Sequence, residues 1–249
     1  MERRLTMIAR RITRTSRAPG AQIIAVAMGI TLFATVARPG WAGEALETRQ
    51  LVQQARFTLE NFQADPMMGG FRDLARRARG VFVAPQLLKA AFVVGASGGS
   101  GVLVVRDEHT GQWHGPAFYT LGGASFGFQI GAEASEVVVL AMTERGVNAM
   151  LQPSVKLGAD ASLAVGPVGM GVEGATENLS ADLVAFSRSK GLYGGVSVQG
   201  AVLGVRTAWN KAYYGKPVTP SRILIHGENA PQAEDLLATV RHFAGPRSG

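Results

Sequence analysis

The amino-acid sequence predicts an α+β fold: one domain built on a glycine-rich, curved antiparallel sheet or partly closed barrel, with flanking helices. Three observations lead there. Glycine supplies 32 of 249 residues with no collagen period, a density that marks turns, bulges and close backbone approaches. Between residues 81 and 205, apolar or alternating runs of four to seven residues are punctuated by glycine, the texture of short strands. Apolar residues at helical spacing occur before and after this region. With 47% hydrophobic and 17% charged residues, there is ample material for a core, and wholesale disorder is excluded.

The chain begins with a segment that reads as an address. Arginines run to Arg17, an apolar stretch follows from Ala21 to Ala37, and Gly40-Trp41-Ala42 precedes Gly43. Small residues at Gly40 and Ala42 suit signal peptidase, so residues 1–42 are expected to be a signal peptide cleaved between Ala42 and Gly43. Arg10-Arg11 and the mild apolar stretch fit a twin-arginine leader, whereas Ile12-Thr13-Arg14 depart from its usual pattern; the export route stays open between the two systems. With no cysteine, there is no lipoprotein anchor, disulfide, thiolate metal site or cysteine nucleophile. The expected location is periplasmic, with peripheral membrane association.

The net charge of +7 resolves on inspection. Seven arginines against Glu2 lie in residues 1–42, leaving 18 basic and 17 acidic residues beyond. A nearly neutral domain lacks the footprint of a nucleic-acid binder.

In the mature chain, 43–249, residues 44–64 place Leu51, Ala55, Leu59 and Phe62 on one helical face. Asp65-Pro66 and Gly69-Gly70 break that helix. A second helix is expected over Phe71–Ala78, with Phe71, Leu74, Ala75 and Ala78 on its apolar side and Arg72, Arg76 and Arg77 opposite, Arg79 following. Strands are expected at Val81–Ala84, Ala91–Val94, Gly101–Val105, Ala117–Leu121, Ser125–Ile130 and Glu136–Met142. Later ones are expected at Val155–Leu157, Ser162–Val165, Asp182–Phe186, Leu192–Val198 and Ala201–Val205. Short helices are expected at Thr143–Leu151 and Ala230–Phe243. Strands this short, few aromatics and no terminal aromatic strand argue against an outer-membrane barrel.

Motifs that suggest chemistry lack their context. Gly95–Gly99 and Gly123–Gly127 match G-x-S-x-G around Ser97 and Ser125, but each leads into another strand-like run rather than the helix an elbow requires. Gly169–Gly174 matches a dinucleotide fingerprint followed by a poor helix. His109 and His114, near Asp107 and Glu108, read better as a solvated hairpin loop than as a metal site, since no ligand spacing is diagnostic. No catalytic residue and no cofactor is expected; a serine hydrolase is the weakest alternative. The basic segment suits either a solvated helix face or a membrane-surface helix whose arginines meet lipid phosphates.

Several segments resemble the SYLF domain family in order: Ala75–Val83 (ARRARGVFV), Lys89–Asp107 (KAAFVVGASGGSGVLVVRD), Trp113–Glu133, Val138–Leu151, Lys156–Gly169, Phe186–Leu203 and Asn210–Leu224. The resemblance implies a non-enzymatic module that binds phosphoinositides and other anionic lipids through a basic amphipathic helix. For eukaryotic members it also implies actin binding. Carried onto this chain, it implies lipid contact at Arg76, Arg77, Arg79 and Lys89, to which the helical pattern adds Arg72. For an exported protein the expected partner is another anionic phospholipid or a membrane surface; a soluble periplasmic stress or partner-binding protein is the alternative.

Overall fold

In the computed structural model, the structure describes residues 41–166, 180–189, 198–228 and 230–245. The expected leader, the glycine motif at Gly169–Gly174 and the expected strand at Leu192–Val198 fall wholly or largely outside them.

Helix α1 spans Trp41–Ala64. It buries Leu51, Val52, Ala55, Leu59 and Phe62, the stripe that its spacing marks. Asp65 then accepts the Met67 N–H at its side-chain oxygen and Pro66 opens a 3-10 turn, Pro66–Met68, which ends the helix. Helix α2, Gly69–Ala75, starts earlier and stops earlier than the spacing suggests. Gly69 and Gly70 lie within it, and Arg77 and Ala78 close it with turn hydrogen bonds to Leu74 and Ala75.

The sheet departs most from expectation. Six short segments between residues 81 and 142 are in fact two long strands, β1 (Gly80–Arg106) and β2 (Trp113–Ala141), paired antiparallel along nearly their whole length. The glycines do not break these strands; they let β1 fold back beside itself. A Cβ on Gly101 would lie 2.5 Å from the Val83 carbonyl oxygen, and one on Gly99 would lie 2.3 Å from that of Gln86. Arg106 N–H donates to the Arg79 carbonyl at 2.7 Å. The hairpin therefore doubles over, its lower halves side by side and an arch between about Leu88 and Gly98.

After helix α3 (Glu144–Met150), capped by the Thr143 hydroxyl, come β3 (Ser154–Lys156), β4 (Leu163–Val165), β5 (Leu183–Ser189) and β6 (Val202–Val205). β5 and β6 flank β2 antiparallel, β3 pairs β6 antiparallel, and β4 runs parallel to β5. The sheet is thus a curled half-barrel, matching the expected curved or partly closed sheet, and is mixed because β4 runs parallel to β5. Helices α4 (Thr207–Tyr214) and α5 (Pro220–Leu224) lie where the spacing gave no helix, and α6 (Glu234–Ala244) follows a 3-10 turn at Pro231–Ala233.

Alternation along the strands divides the core in two. Val81, Val83, Val102, Val104, Val138 and Leu140 pack with α1, α2, α4 and α6. Phe82, Ala84, Leu103, Val105, Val137 and Val139 pack on the other face with residues of α3, α5 and β3. Sheets covered on both faces carry continuous apolar runs, which is why Val137–Ala141 has no polar member. The strand-length argument against a membrane barrel fails here, yet the lower sheet is covered by protein on both faces, leaving none for lipid.

Candidate lipid-facing surface

The five cations expected to touch lipid do not converge. Phe71 is fully buried, its ring 5.5 Å from those of Phe62 and Phe186 and 5.7 Å from that of Phe243. Leu74, Ala75 and Ala78 are buried with it. The apolar side of the basic segment is therefore core, and it cannot enter a bilayer while the domain stays folded. Periodicity reveals an apolar face but not what covers it.

The arginines of that segment have different surroundings. Arg72 donates from Nη1 to the carbonyls of Gln63 at 3.1 Å and Asp65 at 2.7 Å, stapling the turn between α1 and α2. Its guanidinium satisfies C-terminal carbonyls of α1. Arg79 forms an ion pair with Glu108 of the hairpin turn. Of the five, only Arg76 and Arg77 are exposed, and neither forms an ion pair among the described residues.

Lys89 lies elsewhere. Ten residues of strand at about 3.3 Å each set it as much as about 30 Å from Arg79, at the foot of the arch, with Glu133 opposite it on β2. The surface changes character there. Below, Val81–Ala84 and Val102–Val105 are buried; at the arch, Gln86, Leu88 and Ala90 are exposed, Leu88 by 54%. Beside it, Leu51 and Trp209 help to line a groove of about 280 Å³ that also takes in Gln50, Gln54, Gln86 and Leu88.

Polar contacts hold α1 beside this end. Glu136 accepts from the Thr58 hydroxyl at 3.1 Å and pairs with Arg188 at 3.0 Å, and Arg188 approaches Asp65 at 3.7 Å. At the lower end, Asp182 accepts from Thr143 Oγ1 at 2.7 Å and Ser162 Oγ at 2.8 Å, and Arg145 stands 3.8 Å away. The Thr143 hydrogen bond, with help from Ser162 and Arg145, holds the Asp182 carboxyl below its ordinary range.

Chemistry at the suspect motifs is explained by their place in the fold. Ser97 and Ser125 both lie within strands, Ser97 donating from Oγ to the Gly123 carbonyl at 3.4 Å. Neither sits on a strand-to-helix turn. Asp107 accepts from the N–H groups of His109 (2.9 Å) and Thr110 (2.6 Å) and from the Thr110 hydroxyl (2.9 Å). Its carboxylate organises the hairpin turn, and no cluster of metal-ligating residues occurs among the described residues.

The chain is similar to known proteins over much of its length. A family model described as Las17-binding protein actin regulator matches residues 122–243. SH3 domain-containing YSC84-like protein 1 from Homo sapiens is 34% identical over 170 residues, 67% of this chain and 49% of that protein. LAS seventeen-binding protein 3 from Saccharomyces cerevisiae is 33% identical over 172 residues, 68% of this chain and 37% of the yeast protein. This chain belongs to the SYLF, or Ysc84, family. Protein YSC84, also from that yeast, extends the likeness to 184 residues at 33% identity, 72% of this chain and 38% of its own length. The chain spans about half the length of the mammalian SYLF relatives it matches. The family is one of binding proteins and regulators by description. Its model covers most of β2 and everything to α6, but not Arg72–Arg79 or Lys89.

Spacing missed the arch itself. The signal was present: no charged residue occurs between Lys89 and Arg106, nor between Asp107–Glu108 and Glu133. Only the doubling of the hairpin separates the part of these runs that fills the core from the part that does not.

Proposed function

We propose that this SYLF-family chain is an exported, periplasmic binding module without a catalytic role that associates peripherally with membranes through anionic phospholipid. The observation that carries this reading is the placing of exposed or half-buried cations on a domain whose two G-x-S-x-G motifs are strand backbone. Arg76 and Arg77 stand at the lower end and Lys89 at the arch. A cation near an anionic surface contributes about 1 kcal/mol, so each of these that reaches the surface adds a measurable preference over neutral lipid. With Phe71 and its neighbours in the core, contact at Arg76 and Arg77 is electrostatic only.

The test is co-sedimentation of the purified chain with vesicles of phosphatidylcholine alone or mixed with phosphatidylglycerol. Preferential pelleting with the anionic vesicles is expected. Equal pelleting with both would remove the anionic element, and absence from both pellets would overturn the lipid reading. The second reading, a protein partner in place of lipid, is favoured by the Las17-binding description of the family model and would gain from that last result.

A further inference from the structure

The basic segment and the arch differ in what covers them: the apolar side of the first is core, whereas the second leaves residues exposed. We infer that the arch, Leu88–Gly98 with its partner residues Gly122–Glu133, is the element that enters the lipid interface. This rests on the lipid reading above and deepens it by naming the surface involved.

Composition comes first. From Ala90 to Gly98 and from Gly122 to Ala132 there is no charged residue, and Phe92, Val93, Val94, Phe126, Phe128 and Ile130 occur there. The pairing places Phe92 opposite Ile130 and Val94 opposite Phe126. Backbone satisfaction comes second. Non-helical backbone enters an apolar medium only when its N–H and C=O groups are already paired. The β1–β2 ladder runs through the arch, with one irregularity between Phe92 and Val94. Exposure comes third. Leu88, Ala90, Ala96, Ala124 and Ala132 are exposed, whereas the lower halves of the same strands are buried between two cores.

Charges at the foot of the arch set its depth. Lys89 faces Glu133 across the strands, and Glu133 also accepts from the Ser135 hydroxyl at 3.4 Å. A lysine can keep its stem along apolar surface while its ammonium stays with the headgroups. Glu133 opposes deep entry on an anionic membrane. The arch is therefore held at the interface, and a residue such as Ala124, beyond this pair, lies within it.

The chain has no cysteine, so a single introduced cysteine reports one position. Ala124→Cys at the arch, Arg77→Cys at the basic end and His109→Cys in the hairpin turn would each carry an environment-sensitive fluorophore. Each labelled protein is mixed with phosphatidylcholine–phosphatidylglycerol vesicles, with co-sedimentation run in parallel. The expected result is a several-fold rise and blue shift at position 124, with little change at 77 and 109. Unlabelled Ala124→Asp and Ala124→Lys variants should both lose at least about tenfold in vesicle partition, because either charge is costly in the interface. A response at position 77 instead of 124 overturns the inference in favour of the basic end. Stronger binding by Ala124→Lys with weaker binding by Ala124→Asp also overturns it, because the arch would then lie over the headgroups without entering them. Vesicle binding with no response at 124 defeats the arch alone; no vesicle binding by the unmodified chain defeats the lipid reading and the arch together.

Discussion

The lower half of the long hairpin and its arch are made of the same residue types and end in different places. Below, Val81–Ala84, Val102–Val105 and Val137–Ala141 are covered by helices on both faces. Above, the strands remain paired, but Leu88, Ala90, Ala96, Ala124 and Ala132 are exposed. The basic segment belongs with the lower half, because Phe71 and Leu74 are core residues. An apolar run therefore indicates a membrane contact only where the fold leaves it uncovered.

The sharpest break in this comparison is Phe71→Ala. Removing a fully buried ring that touches three others should cost about 3–5 kcal/mol, read as a large fall in the thermal midpoint, whereas Leu88→Ala should change stability by no more than about 0.5 kcal/mol. Equal midpoints would show that α2 is not part of the core. The next largest effect separates two glycines of β1. A Cβ at Gly101 would meet the Phe82 ring at 2.4 Å, while one at Gly98 would meet nothing within 4 Å. Gly101→Ala should lose about 3 kcal/mol through overpacking against ring and backbone, and Gly98→Ala should fold normally in the same denaturant titration.

Asp182 tests how the lower end is held. Asp182→Asn leaves its hydrogen-bonded neighbours imperfectly paired and should cost about 1–3 kcal/mol at neutral pH. Because the folded carboxyl titrates below its ordinary 3.8, its contribution is present above that value and is lost as pH falls through the lower folded value. Melts of the variant should thus approach those of the parent in acid; a constant gap would exclude the ionised carboxylate as the cause. Arg72→Gln should cost about 1 kcal/mol by freeing the Gln63 and Asp65 carbonyls, an effect visible in a melt and absent from vesicle partition once folding is matched. The smallest effect is expected from Arg76→Gln with Arg77→Gln. Glutamine keeps helix propensity, both side chains are exposed, and the proposed lipid contact is at the arch instead. Stability should not move, and vesicle partition should fall far less than the roughly thirtyfold that two arginines in contact would contribute.

Reading by spacing succeeded where local chemistry decides the outcome. The α1 stripe, its stop at Asp65-Pro66, the Thr143-capped helix and the C-terminal helix were all legible, since each depends on neighbours within a few residues. Two helices escaped it. Thr207–Tyr214 and Pro220–Leu224 are too short to display a period, and Trp209, Tyr213, Ile223 and Leu224 owe their helical setting to the sheet faces they cover. Long strands were read as short ones because glycine near a strand signals a turn in sequence. Here Gly99 and Gly101 instead answer to residues more than ten positions away. Among the candidate contacts, the type of Arg72 and Arg79 was plain, but their bonds to Gln63, Asp65 and Glu108 depend on where α1 and the hairpin turn lie.

By itself, the sequence determined the α+β class, the family and the absence of cysteine chemistry, all properties of composition and of segments kept in order. It also contained the charge-free stretches around the arch. Tertiary structure alone decided which apolar residues became core. Burial belongs to the pairing of surfaces distant along the chain: β1 returns beside itself, α1 and α2 cover its lower half, and an extended strand rising about 3.3 Å per residue carries Lys89 away from Arg79.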